Sequence, residues 1–552
     1  MGDTTPGTAA ADLVVLGGTV LTLDRGGTRA SALAASGGRI TAIGDDRAIA
    51  GLAGPGTTVV DLAGRAVIPG FVESHNHPAF FGMTLAAPVD AGSPPNDSIG
   101  DVVERVRQAV RDFGPGEWIR GFRYDDTLLA DDRHPTRADL DPVSPHNPVL
   151  LTHVTGHFCV VNSAALRAVG IDARTPDPPG GVIARDERGE PTGLLIETAA
   201  FLVNSAMPAQ GPDHLAEALL LADAEYLRHG VTSVHDTGIG LIGGAGELAA
   251  YRRLTRAGRL RTRVHGYLFH TLVPGLDEGE PEPPQAGEFP LTGVKIVADG
   301  SIQGRTGCLA EGYACDPGEH GMMLLEPGEL ARRIAALDAA GWQVAVHGNG
   351  DAAIDAIIDG YARLGAPAGT GRRHRIEHCQ TVREDQLDRM AAHDVTASFF
   401  IKHVYYWGDR HRDVFLGPRR ARRISPLASA RSRGIHFGLH SDTPVTPVPP
   451  LEGIWCAVTR RTSGGELLGP EQAVDVDAAL RGYTVDAAYL AGEENDKGSL
   501  EVGKLADLAV LSADPTAVDP DRIRSLTVDA TVVGGRLAWQ RADAPVTTEG
   551  AR

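Results

Sequence analysis

Cysteine is scarce in this chain of 552 residues, and acidic residues outnumber basic ones. The five cysteines form no CxxC pair and their number is odd, so we expect reduced thiols in a cytoplasmic protein. With 52 basic and 71 acidic residues the net charge is −19, which argues against nucleic acid or an anionic membrane as a partner. The sequence also lacks an apolar run near the ~18 residues of a membrane span, and its start lacks a signal-peptide pattern. Composition and charge thus argue against these two kinds of partner and name no substrate.

Residues 66–78, AVIPGFVESHNHP, end an apolar run with two histidines, His75 and His77. Residues i and i+2 of a strand project from the same side, so both imidazoles could bind one metal ion. The HxH pattern is weak by itself, because two solvated loop histidines would look the same. Its weight depends on the later strands.

From residue 213 onwards, helical patterns alternate with short apolar strands. Together with the strand that begins at residue 66, this alternation predicts an α/β fold with a parallel (β/α)8 TIM barrel; an open doubly wound sheet is the alternative. The predicted barrel strands are residues 66–73, 231–236, 263–269, 293–299, 343–347, 374–378, 395–401 and 435–440.

Both ends of the chain contain short strand-like segments beside Gly-Gly turns, such as DLVVLGGTV and TVDATVVGG. They predict one small β-sandwich built from residues 1–65 and 493–552, with two separate hairpins as the alternative. Residues 86–212 interrupt the strand–helix rhythm and predict an inserted α+β lid subdomain that covers the site. The barrel would then comprise residues 66–85 and 213–492.

Chemistry in a (β/α)8 barrel is located at the carboxyl ends of the strands. Six residues of metal-ligand type lie at these ends, namely His75, His77, Lys295, His347, His378 and Asp442. Each has a structural alternative, such as a hydrogen-bonded core histidine or an aspartate that caps a turn. Coincidence is a poor explanation for six such residues on one rim of the barrel. Imidazoles with a carboxylate favour Zn²⁺, with Fe, Mn, Co or Ni as alternatives.

The motifs PGFVESHNHP, KIVADGSIQGRTG, VHGNGDAAID, RIEHCQ and HSDTPVTPVPPL resemble the amidohydrolase superfamily over nearly the whole chain. Within it they resemble the amidohydrolase-3 subfamily, which includes proteins similar to N-substituted formamide deformylase. The resemblance implies that His75 and His77 hold the more buried metal, and His347 and His378 a second one. Lys295 would bridge the two as a carbamate; without that carboxylation, one metal is implied. A homodimer is a further implication of the family.

The same resemblance implies a metal-dependent amidohydrolase acting on a carbon–nitrogen bond, other than a peptide bond, of a small-molecule substrate. A metal-activated water would attack an amide or formamide carbonyl, with Asp442 as metal ligand and general base. A mononuclear deaminase is one alternative, although HGNGDAAID has no glutamate after the histidine and only Asp351 could take its role. An ester or lactone hydrolase is another. A catalytically silent regulatory relative is the alternative of a different class, but such relatives tend to lose ligands and this chain keeps them.

Position after a strand suggests further site residues. His403, as a catalytic residue, together with Tyr406 and Trp407, would reach the substrate carbonyl from beyond the seventh strand. Other candidates for substrate binding are Asp299, Gln303 and Arg305 after the fourth strand, and His157 in the insertion. A structural role is equally compatible with each of them. Aromatic residues near the strand ends favour a partly apolar substrate: Phe80, Phe81, Phe399, Phe400, Tyr405, Tyr406, Trp407 and Trp455.

Overall fold

The computed structural model describes residues 10–93, 95–207, 211–284, 287, 289–365, 371–544 and 547–549. Its strands are β1 Leu13–Leu16, β2 Thr19–Leu21, β3 Arg29–Ala30, β4 Ala32–Ser36, β5 Arg39–Gly44, β6 Thr58–Asp61, β7 Ala66–Pro69, β8 Phe71–Asn76, β9 Val89–Asp90, β10 Ile119–Tyr124, β11 Val149–His153, β12 Phe158–Val161, β13 Gly181–Arg185, β14 Pro191–Glu197, β15 Val231–Ile239, β16 Arg263–Phe269, β17 Leu291–Val297, β18 Gln343–Gly348, β19 Arg375–His378, β20 Thr396–Phe399, β21 Phe437–Leu439, β22 Leu508–Leu511, β23 Val528–Val533, β24 Arg536–Gln540 and β25 Thr547–Glu549.

Its α-helices are α1 Asp46–Ala50, α2 Pro78–Leu85, α3 Ile99–Val110, α4 Arg137–Leu140, α5 Ser163–Val169, α6 Thr198–Ala206, α7 Pro212–Arg228, α8 Ala245–Arg256, α9 Pro327–Ala340, α10 Asp351–Ala362, α11 Glu384–Ala392, α12 His403–Arg410, α13 Gly417–Ala421, α14 Leu427–Ser432, α15 Pro450–Thr459, α16 Val476–Gly482 and α17 Val485–Leu490. Short 3₁₀ turns are found at His270–Leu272, Pro470–Gln472 and Pro520–Ser525, and one π-helical turn at His411–Phe415.

Eight parallel strands form the central sheet in the order β8, β15, β16, β17, β18, β19, β20 and β21. The two edge strands meet through side chains: the Ser74 hydroxyl of β8 lies 3.0 Å from the Leu439 carbonyl of β21, to which it donates. It also lies 2.8 Å from the Ser398 hydroxyl of β20. The sheet is therefore a nearly closed (β/α)8 barrel, and the predicted fold class is confirmed.

Strand alternation divides the barrel residues into an apolar and a polar set. Val294 and Ile296 of β17 pack in the core cluster that the helices share, whereas Lys295 between them is a buried polar residue. In β19, Ile376 belongs to the same apolar core, and its neighbours Arg375 and Glu377 are fully buried charges. The helices thus cover an apolar outer surface, and chemistry-bearing side chains are gathered inside.

The predicted first barrel strand, residues 66–73, is divided at Gly70. Residues Ala66–Pro69 pair with Leu508–Leu511 in a terminal sheet, and only Phe71–Asn76 joins the barrel. A Cβ at Gly70 would lie 2.2 Å from the Thr232 hydroxyl oxygen, so this close passage between two sheets requires glycine. Continuous hydrophobicity in the sequence conceals the change of sheet, because both segments are buried.

Two terminal sheets pack around a shared apolar core. One has the order β25-β6-β1-β4-β5, and the other has the order β24-β23-β22-β7-β2-β3. Leu13 and Val15 from the N-terminal part share this core with Leu508 and Val532 from the C-terminal part. The predicted sandwich made from both ends of the chain is confirmed.

The insertion forms a six-stranded sheet of order β13-β14-β12-β11-β10-β9 with helices α3 to α6. Ser98 caps α3 by accepting from the Asp101 amide, and the Asp101 carboxylate accepts from the Ser98 amide in return. The insertion also contacts the barrel: the Trp407 indole donates to the Asp125 carboxylate at 3.3 Å, and Arg410 lies 3.5 Å from it. These contacts join the lid subdomain to the loop region after β20.

All five cysteines are free thiols, and three of them, Cys159, Cys379 and Cys456, are buried. Within the described ranges, no helix combines the length and the apolar character needed to cross a bilayer.

Candidate active site

Three buried side chains from separate parts of the chain meet at the carboxyl end of the barrel. His75 lies near the end of β8, His378 ends β19, and Asp442 follows β21. One potential ligand atom from each lies within 4.8 Å of the other two. His75 Nε2 is 3.4 Å and His378 Nδ1 is 3.8 Å from the Asp442 carboxylate. His77 Nε2 is also 3.4 Å from Asp442 Oδ1, so the HxH pair does face one centre.

The contacts around these imidazoles leave one ring nitrogen of His75 and one of His378 facing the centre. His347 Nε2 lies 3.1 Å from the Gly300 carbonyl and 3.0 Å from the side-chain nitrogen of Asn349. His347 Nδ1 lies 3.0 Å from His378 Nε2, so His378 presents its other nitrogen, Nδ1, to Asp442. His75 donates from Nδ1 to the Glu377 carboxylate and presents Nε2 to Asp442.

Three of these side-chain atoms have the properties expected of metal ligands. His75 Nε2, His378 Nδ1 and Asp442 Oδ1 are buried and have no hydrogen-bond partner among the described residues. Buried polar atoms are nearly always paired, so three unpaired electron donors in one place need an explanation. Imidazole nitrogens and a carboxylate oxygen are the donor set that Zn²⁺ and related divalent metals bind. The residues present therefore fit a divalent metal.

Charge and burial hold each group in its metal-binding form. Burial lowers the pKa of His378 and His347 well below the usual value, so both imidazoles stay neutral. Burial would raise the pKa of Asp442, but the nearby His75, His77 and His378 outweigh it, and that pKa is well below its usual value. Asp442 is therefore a carboxylate.

Backbone in the left-handed region orients two of these residues, His378 and Asp442, at the ends of their strands. Glu377 faces the barrel interior, so alternation would turn the next residue, His378, away from it. His378 instead has φ +69° and Asp442 has φ +51°, a region that non-glycine residues seldom adopt. Such outliers persist where the surrounding structure holds them, and they are common at functional sites.

Lys295 lines the same cavity from β17 and is 3% exposed. Burial lowers its pKa to about 8, against the opposing effect of the carboxylates of Glu377 and Asp442. A larger share of this amine is therefore neutral near pH 7 than for an ordinary lysine.

Sequence reasoning missed the residues that support His75. Glu377 binds His75 Nδ1, and the Arg375 guanidinium lies 2.5 Å from the other Glu377 oxygen. Burial would raise the pKa of Glu377, but Arg375 and His75 hold it far below its usual range. His440 stacks on His75 with ring centroids 4.7 Å apart. A signal was available, because alternation places Arg375 and Glu377 on one face of the RIEH strand.

A cavity of about 610 Å³ opens above the imidazoles, between the barrel and the insertion. The site residues His75, His77, His157, Lys295, His347, His378 and Asp442 all line it. Most other lining side chains are apolar and come from both parts of the chain: Phe80, Met83, Phe122, Leu150, Phe158, Phe201, Met207, Leu241, Ile242, Phe269, Val297, Leu324, Leu325 and Val445. The cavity therefore combines one polar end with a large apolar space.

The candidates after the fourth strand lie outside the described lining of this cavity. Asp299 accepts from the backbone amides of Cys308, Asn349 and Gly350, which fixes the loop after β18. Burial raises the pKa of Asp299 to about 7. Gln303 is buried, and Arg305 has φ +57° in the turn that follows.

The candidates on α12 are likewise outside that lining. The Tyr406 hydroxyl donates to Glu452 at 3.2 Å, and Trp407 binds the lid residue Asp125. His403 packs on Phe400 with ring centroids 4.0 Å apart, and burial lowers the pKa of His403 to about 3. Their contacts favour structural roles. Of the eight aromatic residues proposed for the pocket, Phe80 alone is among the described lining residues.

The predicted lid residue His157 does reach the cavity. Its Nδ1 lies 2.8 Å from the carboxylate of Glu197, a residue that the sequence did not single out. Burial would lower the pKa of His157, but Glu197 and the more distant carboxylates of Asp299 and Asp442 raise it.

The barrel and its imidazole–carboxylate centre are those of a metal-dependent barrel hydrolase. A model of the amidohydrolase family matches residues 58–538, so the chain belongs to that family and hydrolyses carbon–nitrogen bonds. It is 32% identical to an N-substituted formamide deformylase of Arthrobacter pascens, over 97% of this chain and 99% of that protein. It is 31% identical to the putative amidohydrolase YtcJ of Bacillus subtilis, over 95% of this chain and 99% of that one.

A solved structure gives the same result at the level of the fold. An uncharacterized metal-dependent hydrolase from Pyrococcus horikoshii superposes with a TM-score of 0.74 at 27% sequence identity. The match covers 92% of this chain and 99% of the other.

Proposed function

We propose that this protein hydrolyses the carbon–nitrogen bond of an N-substituted formamide or a related small amide, with water as the nucleophile. The observation that carries the proposal is the convergence of three unpartnered, buried ligand atoms at the polar end of a mostly apolar cavity. The apolar walls suit a hydrophobic group on the substrate nitrogen. The similarity to a formamide deformylase supports the same substrate class.

His75, His378 and Asp442, with His77 close by, would hold the metal, for which we propose zinc. A divalent metal bound there would polarise the substrate carbonyl and lower the pKa of water. We propose that Asp442 accepts a proton from the attacking water, since it is a buried carboxylate at the centre of the cluster. It then returns this proton to the leaving nitrogen as the carbon–nitrogen bond breaks. The products are a carboxylic acid, formic acid for a formamide, and an amine.

Lys295 would be carboxylated by CO₂ to bridge a second metal held with His347. Only a neutral amine reacts with CO₂, and the lowered pKa of about 8 increases that form. The resulting carbamate offers two anionic oxygens, whereas an ammonium would repel two cations. The five free thiols support a reducing compartment, and we propose the cytoplasm.

Elemental analysis of protein purified without chelators or metal-affinity resin tests the metal part. About two metals per chain would support the bridging role of Lys295. About one would remove that role and favour the mononuclear deaminase as the alternative activity. No metal, with no activity after addition of Zn²⁺, Mn²⁺ or Co²⁺, would contradict the proposal and favour a silent relative.

Asp442→Asn tests the proton transfer, and Asp112→Asn, at an exposed position in the insertion, is the matched control. We expect Asp442→Asn to lower kcat for formamide hydrolysis about 10²–10⁴-fold while most of the metal stays bound. The control should behave as the wild type. Near wild-type turnover by Asp442→Asn would refute the assignment. Comparison of a formamide with an ester and an amidine substrate of similar shape separates this activity from esterase and deaminase activity.

A further inference from the structure

The inserted subdomain presents one imidazole to the reaction cavity. His157 lies in the connection between β11 and β12, and its side chain is 17% exposed. Its ring centroid is 5.5 Å from that of His347. Its ligand atoms are not part of the compact group formed by His75, His378 and Asp442. His157 thus reaches the polar end of the cavity from the inserted subdomain.

Glu197 binds His157 by two hydrogen bonds, one to the ring and one to the backbone. Its carboxylate lies 2.8 Å from His157 Nδ1, and its backbone amide donates to the His157 carbonyl at 2.8 Å. The Glu197 side chain is 3% exposed, and its second oxygen has no hydrogen-bond partner among the described residues. Removal of the carboxylate would leave the ring free to rotate about its side-chain bonds.

The backbone of Glu197 is constrained as well. Glu197 has φ +52° at the junction of β14 and α6, a conformation that residues with a Cβ seldom adopt. A Cβ at Gly300 would lie 2.2 Å from Glu197 Oε1, so the barrel loop leaves room for this side chain only because residue 300 is glycine. Glu197 thus combines an unusual backbone conformation with a buried carboxylate that has one unpaired oxygen. This combination points to a functional role.

The same carboxylate–imidazole arrangement therefore occurs twice around the cavity. Glu377 binds Nδ1 of His75 from below, and Glu197 binds Nδ1 of His157 from the insertion. In both cases the carboxylate fixes the ring and leaves Nε2 for another partner. His75 Nε2 faces the metal-binding group. Nε2 of His157 belongs to a ring that lines the substrate cavity.

We propose that His157 is a catalytic residue whose Nε2 hydrogen-bonds the amide group under attack, and that Glu197 is the positioning residue that fixes its ring. This inference rests on the amide hydrolysis proposed above. An amide offers both a carbonyl oxygen and, when it is not fully substituted, an N–H at the reacting centre, and an imidazole nitrogen can pair with either. The lid subdomain would thereby complete the site rather than merely cover it.

Four variants of the full-length, metal-loaded protein test this role: His157→Phe, Glu197→Ala, Glu197→Gln and the control Glu187→Gln. Glu187 is exposed on a turn of the same subdomain. We expect His157→Phe to lower kcat/KM for an N-substituted formamide about 10²-fold, the usual effect of losing one hydrogen bond to the reacting group. Glu197→Ala should cost about tenfold, and Glu197→Gln should stay within about threefold, because its amide oxygen still accepts from Nδ1. The control should match the wild type.

Two further measurements do not depend on turnover. The dissociation constant of the intact formamide on metal-stripped protein should rise about tenfold in His157→Phe and remain unchanged in the control. Metal content should be the same in every variant. Loss of metal in His157→Phe would overturn the inference and make His157 part of the metal centre.

The outcomes separate the inference from the proposed function. If the wild type hydrolyses the formamide and kcat/KM of His157→Phe lies within about twofold of the wild-type value, the inference fails while the proposed function stands. Equal losses in Glu197→Gln and Glu197→Ala would overturn the positioning role of Glu197. If the wild type neither binds nor hydrolyses any amide offered, the proposed function and this inference both fail.

Discussion

Replacement of Glu377 by glutamine removes a fully buried negative charge beneath His75. Arg375 and Glu377 both have side chains that are 0% exposed, and their charged atoms are 2.5 Å apart. The Arg375 guanidinium also donates to the Ser74 carbonyl at 2.9 Å and lies 3.0 Å from a ring nitrogen of His235. Neither of these partners carries a compensating negative charge, so the variant leaves a buried cation without a counter-ion.

Loss of one member of a buried ion pair typically costs about 3–5 kcal/mol of stability, because the remaining charge stays desolvated. A glutamine oxygen can still accept from His75 Nδ1, so the imidazole keeps a partner but a weaker one. Substitution of such partners lowers metal affinity about 10–100-fold, and we expect a value near the lower end. Glu377→Gln should therefore lose both stability and metal affinity.

The assays are thermal and urea unfolding together with metal affinity measured by competition with a chelator. Glu104→Gln is the matched control, because Glu104 forms an ion pair with Arg107 in which both side chains are nearly half exposed. Exposed pairs of this kind contribute at most about 1 kcal/mol, so the control should change little. The double variant Arg375→Met/Glu377→Leu removes both charges and should recover much of the stability without recovering metal affinity.

An equal loss of stability in Glu377→Gln and Glu104→Gln would refute the reasoning, since burial would then not increase the cost of breaking an ion pair. A double variant as unstable as Glu377→Gln would show that shape, rather than the uncompensated charge, is responsible. Unchanged metal affinity in Glu377→Gln would show that Glu377 does not orient His75.

Two other predictions concern buried positions outside the lining of the cavity. Burial raises the pKa of Glu247 to about 7 from 4.5, so the native state binds the extra proton, and the contribution of Glu247 to stability should fall by about 3 kcal/mol as pH rises across that interval. Glu247→Gln should make this fall smaller in urea unfolding at pH 5 and pH 8, although Asp299, with a pKa also raised to about 7, still contributes to it. Exposed Glu187→Gln should leave the fall unchanged, and an equal fall in Glu247→Gln and the wild type would contradict the assignment. Gly350→Ala would place a Cβ 2.0 Å from the Cys308 carbonyl oxygen and should cost about 1–3 kcal/mol. Gly328→Ala, with nothing within 4 Å, should be neutral, and comparable thermal midpoints for the two would contradict the packing argument.

The sequence predicted the barrel because its signals are local. A parallel strand buried on both faces reads as a short apolar run, and several of these runs, such as residues 231–236 and 343–347, follow a helix that stops at a glycine. The carboxyl ends of such strands meet on one rim, so residues as distant as His75 and Asp442 could be assigned to one site before any contact was known. The terminal sandwich was predictable for the same reason, from strand-like segments at both ends.

Other features depend on contacts that local patterns do not contain. The passage of the chain from the sandwich to the barrel at Gly70 is invisible in a continuous apolar run. Tyr406 and Trp407 follow a barrel strand as active-site residues do, yet α12 directs them to Glu452 and to the lid residue Asp125. Position after a strand specifies the rim of the barrel, whereas the direction of a side chain depends on the packing of the whole loop.

The sequence by itself determined which residue types would surround the site and on which strands they would lie. The tertiary structure alone decided which atoms remain free to bind. His75 and Glu377 are 302 residues apart, and His157 and Glu197 are 40 apart, so neither pairing follows from spacing. Left-handed backbone at His378 and Asp442 then breaks the alternation on which sequence reasoning relies. The pairing of His75 and the two turns bring His75 Nε2, His378 Nδ1 and Asp442 Oδ1 close together, and none of these three buried atoms has a hydrogen-bond partner among the described residues.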